Sequence, residues 1–127
     1  MTDDGERAID PTDSEKIIAA ATDYIESWLD GDAERMARCL HPDLVKRESL
    51  AADPSAETMT REDMVQATAK GSGRKLERPY EVAILDAYGD IASVSVLSSA
   101  YMDYLHVARS GDDWLLLNVL WQRRPDR

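Results

Sequence analysis

The sequence contains few of the residues that build disulfides, metal sites or membrane spans. It has one cysteine, Cys39, two histidines and no phenylalanine in 127 residues. A lone cysteine cannot form an intrachain disulfide, and two distant histidines do not have metal-ligand spacing. No apolar run is long enough for a bilayer, and the acidic start lacks the pattern of a secretory signal. We therefore expect no metal, no cofactor and a cytoplasmic location.

Basic residues are also scarce relative to acidic ones. The chain has 15 Lys and Arg against 25 Asp and Glu, for a formal net charge of −10. Such a charge repels phosphate backbones and anionic lipids, which excludes nucleic acid and membrane surfaces as expected partners. With 43% hydrophobic residues, the chain has enough apolar side chains for one core of ordinary domain size. A small organic molecule or a protein is the expected partner.

The beginning of the chain predicts a tail followed by a helix. Residues 1–11 are polar and acidic, so we expect a flexible tail there and a single domain over residues 12–124. Thr12 and Glu15 have the spacing of a capping box, which predicts the start of the first helix. Apolar residues then recur at helical spacing as far as Gly31, which predicts the end of that helix.

Two further helices and a series of strands follow. A short helix is predicted to end before His41-Pro42, and a third is predicted to begin at the capping box of Thr60 with Asp63. A short strand is predicted between these two helices, over residues 44–50. After Pro79, four runs rich in β-branched and aromatic residues predict antiparallel strands, joined by glycine turns: 82–85, 92–97, 101–109 and 114–121.

This order predicts an α+β fold, in which three N-terminal helices cover one face of a curved antiparallel sheet. The last strand has apolar side chains at successive positions from Trp114 to Trp121, so both of its faces are apolar. A sheet face that is apolar but not covered by helices is a candidate dimer interface. The predicted assembly is a homodimer through the sheet face.

Four segments together resemble one protein family: Tyr24–Asp32, Leu40–Leu44, Met102–His106 and Trp114–Trp121. In their order and spacing they are similar to the putative lumazine-binding family of the nuclear transport factor 2-like superfamily, over residues 14–122. The resemblance implies a cone-shaped α+β fold. It does not imply one reaction, because SnoaL-like cyclases, ketosteroid isomerases and scytalone dehydratases share that fold and differ in chemistry. Function therefore has to be argued from the pocket.

The register of the last two strands predicts which side chains face a pocket. A two-residue turn at Gly111-Asp112 pairs residue 110 with residue 113, which places His106 on the face of Tyr104 and Trp121. Asp103 would lie on the opposite face, unless a β-bulge rotates one of the two residues. We therefore expect His106 to be the pocket residue.

His106 and Asp103 are the candidate catalytic residues, and each has a structural alternative. A neutral imidazole among apolar side chains can act as a general base or a hydrogen-bond partner. Alternatively, His106 is a core histidine satisfied by a backbone carbonyl or by Tyr104. Asp103 can carry a proton beside a carbonyl group, or it can form an interface salt bridge.

Aromatic residues are the candidate ligand contacts. Tyr24 and Trp28 lie four residues apart on the first helix, so both can reach one cavity and stack on a planar ligand. Trp121 and Tyr104 are predicted to lie on the same face as His106. The alternative is that these are ordinary core aromatic residues.

Three functions remain open at this point. The first is binding of a small planar molecule in an apolar pocket, with His106 and Tyr104 at its polar end. The second is an isomerase, dehydratase or cyclase that moves a proton with His106 or Asp103. The third is an interaction module whose cone is filled by its own side chains. A large solvent-connected cavity lined by His106 favours the first two functions. A carboxyl or imidazole pair within hydrogen-bond reach favours the second, and a filled cone favours the third.

Overall fold

The computed structural model describes residues 9–51 and 53–125. Within these residues the chain forms three α-helices and five β-strands in one sheet. The helices are α1 Pro11–Asp30, α2 Ala33–Cys39 and α3 Arg61–Ala69. The strands are β1 Leu40–Glu48, β2 Glu81–Tyr88, β3 Ile91–Leu97, β4 Tyr101–Ser110 and β5 Asp113–Arg123.

The sheet has the strand order β1-β5-β4-β3-β2. Strands β2 to β5 pair antiparallel with their neighbours, as predicted. The prediction of a wholly antiparallel sheet is wrong at one edge, because β1 pairs parallel with β5. Helix α3 follows β1 in the chain, and the next strand, β2, lies at the opposite edge of the sheet. The predicted α+β fold is confirmed.

The first helix begins before Thr12. Asp10 is the N-cap, with its side chain accepting from the backbone N–H groups of Thr12 and Asp13, and Pro11 occupies the first turn. The predicted capping box of Thr12 is therefore wrong, because aspartate followed by proline makes an equally good helix start two residues earlier. Ile9 packs against the core. Of the predicted tail, residues 1–8 lie outside the described residues.

Other predicted boundaries are confirmed. Helix α1 ends at Gly31, whose φ of 71° is left-handed. Helix α3 begins with the reciprocal capping box of Thr60 and Asp63. Gly89 and Gly111 have φ values of 57° and 64° and lie in the two hairpin turns.

An ion pair connects the N-terminal part of helix α1 to the sheet. The guanidinium of Arg109 on β4 donates to both carboxylate oxygens of Asp13, at 3.0 and 2.7 Å. The indole N–H of Trp114 donates to the same carboxylate at 3.3 Å. These bonds, led by the one from Arg109, lower the pKa of Asp13. They set where α1 lies along the sheet, and hence where its later residues Tyr24 and Trp28 reach the inner face.

The core lies between the helices and the inner face of the sheet. It includes Ile17, Tyr24 and Ile25 from α1, together with inward residues of the central strands such as Val94, Leu105 and Leu116. The outer face carries exposed apolar side chains: Val45, Leu85, Ile91, Tyr104 and Leu120. The homodimer through this face stays a prediction.

Candidate functional site

A cavity of about 180 Å³ lies between α1 and the inner face of the sheet. Its walls are mostly aromatic and aliphatic, and one lysine and one aspartate, Lys46 and Asp103, also face it. The lining residues are Tyr24, Ile25, Trp28, Lys46, Met59, Met64, Tyr101, Asp103 and Trp121. The cone is therefore not filled by its own side chains.

Each wall is placed by a regular element. Tyr24 and Trp28 are one helical turn apart on α1, so both side chains reach the same space. Lys46 lies on β1, where it pairs with Val119 of β5. A bridge to Met59 holds it on the other side, with N–H···O distances of 3.0 and 2.8 Å. The backbone of Lys46 is thus fixed from both sides of the strand.

A chain of hydrogen bonds connects the polar groups of the cavity. Nζ of Lys46 donates to the hydroxyl oxygen of Tyr24 at 2.7 Å. That hydroxyl donates to Oδ2 of Asp103 at 2.5 Å. The three residues are only 8%, 3% and 7% exposed, for Lys46, Tyr24 and Asp103 in that order. A cationic donor and an anionic acceptor are therefore joined, out of water, by one phenol.

The amino group of Lys46 is also surrounded by aromatic rings. Nζ lies 5.1 Å from the ring centre of Tyr24, 5.6 Å from that of Trp28 and 5.7 Å from that of Trp121. Tyr101 packs edge-on against Trp121, with ring centres 5.2 Å apart. Aromatic faces attract a cation at these distances, so they offset part of the cost of burying the ammonium.

Burial is the largest cause of the pKa shifts in this group. It lowers the pKa of Lys46 below its usual 10.5, and the charge of Asp103 opposes this shift. Burial raises the pKa of Asp103 above 3.8, and Lys46 and the hydrogen bond from Tyr24 oppose that shift. Burial and Asp103 raise the pKa of Tyr24 well above 10.0. The pKa values of Lys46 and Asp103 are therefore closer to each other than those of a lysine and an aspartate in water. The phenol of Tyr24 between them is neutral.

Lys46 and Asp103 can each form more hydrogen bonds than they do in this structure. Within residues 9–51 and 53–125, Tyr24 is the only hydrogen-bond partner of both the Lys46 amino group and the Asp103 carboxylate. Lysine can donate three hydrogen bonds, and a carboxylate can accept several. Polar groups that are buried without partners are costly. The cavity therefore favours an occupant that accepts a hydrogen bond from Nζ.

The predicted positions of His106 and Tyr104 in this pocket are wrong. Tyr104 is 49% exposed, and His106 lies on the same outer face, where its Nδ1 is 3.4 Å from Nδ2 of Asn118. His106 borders an open concavity of about 320 Å³ on that face. That concavity is larger than the internal cavity, but His106 and Asn118 there are both exposed to water. Asp103, which was predicted to face away from His106, does so and points inward.

A bulge in β5 explains why the predicted faces were wrong. Ser110 pairs with Asp113, as predicted, but the register skips Leu117 between the pairs Val107–Leu116 and His106–Asn118. One extra residue turns every later side chain of a strand to the other face. Trp121 therefore lies opposite Asp103 and lines the cavity with Tyr24 and Trp28.

Sequence reasoning missed Lys46 and Tyr101. Leu44 and Lys46 are two residues apart in the predicted strand, so they point to the same face. A lysine that shares a face with a buried leucine is unusual, and this was the available signal. Tyr101 could have been placed inward by its alternation with Asp103.

The described residues contain neither a candidate metal site nor a candidate membrane-spanning helix. No group of three or more His, Cys, Asp or Glu side chains is close enough together there to hold a metal ion. In the same part of the chain, no helix combines the length and the apolar character of a membrane span.

Comparison with solved structures defines the fold class. An NTF-2 like protein of unknown function from Silicibacter pomeroyi is similar with a TM-score of 0.73 at 15% identity, over 91% of this chain and 100% of that one. An NTF2-like protein of unknown function from Methylobacillus flagellatus also has a TM-score of 0.73, at 13% identity over 94% and 98%. A ketosteroid isomerase-like protein from Erwinia carotovora has a TM-score of 0.65, at 15% identity over 88% and 98%. The fold is therefore NTF2-like.

The sequence itself identifies the family. Residues 12–122 match the family described as "Putative lumazine-binding", and the chain belongs to that family. No curated protein matches the sequence.

Proposed function

We propose that the protein binds a small planar organic molecule in the internal cavity, with a carbonyl or similar oxygen of that molecule accepting a hydrogen bond from Lys46. The observation that carries this proposal is a buried amino group with unused donors in an aromatic cavity. The description of the family, and the ketosteroid isomerase-like character of one structural neighbour, agree with a ligand-binding role.

The shape of the cavity restricts the ligand. Its volume of about 180 Å³ is below the roughly 300–1,000 Å³ of pockets for drug-sized ligands. A molecule of one or two rings fits that space. The indoles of Trp28 and Trp121 offer flat apolar surfaces for such a ring, and Lys46 and Asp103 are available to its polar edge.

Ligand binding is expected to raise the thermal stability of the protein. A panel of small aromatic ketones, aldehydes and pterin-like compounds would be screened by thermal denaturation. A compound present at a hundred times its dissociation constant stabilises the native state by about 2.7 kcal/mol. We expect Lys46→Met to abolish the shift and the exposed Lys75→Met to retain it.

The same screen compares the internal cavity with the outer face. His106→Ala and Tyr104→Phe are expected to leave the shift unchanged, because both residues lie on the outer face. If the ligand-induced rise in melting temperature is lost in His106→Ala and kept in Lys46→Met, the proposal is overturned and the site lies on the outer face.

Asp103 supports a second function, proton transfer beside a carbonyl group. Its carboxyl is buried, its pKa is raised, and it accepts a hydrogen bond from Tyr24. A base of this kind can take a proton from the carbon next to a ketone that Lys46 and Tyr24 polarise, which is the chemistry of an isomerase or a dehydratase.

Solvent deuterium exchange tests this second function. The protein is expected to speed exchange of the methyl protons of acetophenone in D₂O, measured by NMR. Positioned acid–base groups contribute about 10²–10⁴-fold, so Asp103→Asn should lose at least about 10²-fold. The exposed Asp113→Asn is the matched control. Equal exchange with folded Asp103→Asn and with wild type would exclude Asp103 as the base.

A further inference from the structure

We propose that Lys46 forms a covalent imine with a small aldehyde or ketone that enters the internal cavity. This inference rests on the proposed function and specifies it, since it makes the bound oxygen that of a reactive carbonyl group. Lys46 would then be a nucleophile rather than only a hydrogen-bond donor.

The position of Nζ suits this chemistry. It faces the cavity, it is enclosed by the rings of Tyr24, Trp28 and Trp121, and Tyr24 is its one hydrogen-bond partner among the described residues. A ligand carbonyl in the cavity would meet the amino group directly, since Nζ lies 5.6 Å from the ring centre of Trp28 and 5.7 Å from that of Trp121. The walls exclude bulk water, which otherwise hydrolyses an imine.

The amine must be neutral to attack a carbonyl carbon. Burial lowers the pKa of Lys46, so more of it is neutral near pH 7 than of a lysine in water. The titratable groups that face Nζ are Tyr24 from α1 and Asp103 from β4. By contrast, Lys16, Lys70 and Lys75 are exposed. Lys46 is thus expected to react ahead of these three.

Tyr24 and Asp103 supply the proton transfers that imine formation needs. The Lys46 ammonium first gives a proton, through the Tyr24 hydroxyl, to the Asp103 carboxylate, which leaves a neutral amine and a carboxylic acid. The lone pair of Nζ then forms the C–N bond, the π pair of the C=O bond moves onto oxygen, and a proton passes from nitrogen to that oxygen. The resulting carbinolamine loses its hydroxyl group as water, with a proton delivered from Asp103 through the Tyr24 hydroxyl. The remaining N–H proton returns to the Asp103 carboxylate as the C=N bond is completed. The balance is amine plus carbonyl to imine plus water, without oxidant or reductant.

Reductive trapping tests the imine. Wild-type protein would be incubated with benzaldehyde and sodium cyanoborohydride, which reduces an imine to a stable secondary amine and leaves the free aldehyde intact. The adduct would be located by peptide mass mapping. We expect one lysine adduct per chain, at Lys46, formed at least about tenfold faster than at Lys75, because the cavity holds the aldehyde beside Nζ and burial leaves more of this amine neutral. Adducts spread evenly over the exposed lysines would overturn the proposal.

Variants separate the nucleophile from its positioning residue. Lys46→Arg keeps a cation but is expected to give no adduct, whereas Lys75→Arg is expected to react as wild type does. Tyr24→Phe is expected to slow trapping even at saturating benzaldehyde, where weaker binding no longer limits the rate. Benzyl alcohol, which cannot form an imine, reports binding alone. Unchanged trapping in Tyr24→Phe would remove Tyr24 from the proton relay. Because the mapping is done on wild-type protein, the test holds even if Lys46→Arg does not fold.

Benzyl alcohol also distinguishes failure of the imine from failure of the proposed function. If both benzyl alcohol and benzaldehyde raise the melting temperature and no adduct forms at Lys46, binding stands and the imine is wrong. If neither compound raises it and no adduct forms at Lys46, both proposals fail.

Discussion

Replacing Lys46 by methionine is expected to destabilise the protein by about 3 kcal/mol, the lower end of the cost of leaving a buried charge without its partner, because Lys46 and Asp103 are linked through Tyr24 and not in direct contact. Methionine has a similar length and fills the space among the aromatic rings, so the loss does not come from a large cavity. The loss comes from Asp103, because this carboxylate is only 7% exposed and no longer has the positive charge of Lys46 facing it. Urea denaturation at neutral pH, with Lys75→Met as the control, measures the effect.

The double variant identifies the cause of that loss. Lys46→Met with Asp103→Leu removes both charges, and it is expected to be much more stable than the sum of the two single losses predicts, because an apolar pair often replaces a buried ion pair at little cost. Additive losses would mean that the two residues do not interact through Tyr24.

The stability of Lys46→Met is also expected to depend on pH. Removing the lysine leaves burial to raise the pKa of Asp103 above 3.8 with less opposition. Between 3.8 and that raised pKa the folded state binds more protons than the unfolded state, so stability falls as pH rises through this window. The deficit relative to wild type should therefore shrink at acid pH, where the carboxyl of the variant is neutral. A deficit that is constant with pH would contradict the assignment to Asp103.

Replacing Gly73 by alanine is expected to cost about 1–3 kcal/mol and to weaken ligand binding in the cavity, because the site has no room for a methyl group. A Cβ atom at Gly73 would lie 2.4 Å from the backbone oxygen of Trp28 and 2.5 Å from its Cδ1 atom. The oxygen belongs to the body of α1, so either the loop or the indole has to shift. Trp28 is a wall of the cavity, so a shifted indole changes the site as well as the stability.

Urea denaturation measures the first effect, and thermal shift with an aromatic ligand measures the second. Ser72→Ala is the control, because Ser72 is the preceding residue in the same loop and is exposed. If Gly73→Ala matches Ser72→Ala in both measurements, the close approach to Trp28 does not constrain the site.

Local signals predicted most of the fold. The capping box at Thr60 and the turns at Gly89 and Gly111 depend on residues next to one another in sequence, and all three were confirmed. The alternative start of α1 at Asp10 shows the limit of such signals, because two capping motifs competed within three residues and only one could be used.

The site was harder to predict because it depends on strand pairing. The skipped residue Leu117 has no marker in the sequence, yet it decides that Trp121 faces Asp103 rather than His106. Lys46 is placed in the cavity wall largely by the parallel pairing of β1 with β5, which connects distant parts of the chain. Tyr24 and Trp28 could be placed together because helical spacing is local.

The parallel edge pairing has a consequence for the order of folding. Strand β1 is flanked in sequence by α2 and α3, but its sheet partner β5 is the last strand to be synthesised. Contacts between such distant segments form late, since the loop between them must first be closed. During synthesis, Lys46 therefore remains in water, with an ordinary charged amine, until β5 emerges and pairs with β1. The buried environment that makes this amine reactive therefore depends on β5, and chains that lack β5 do not have it.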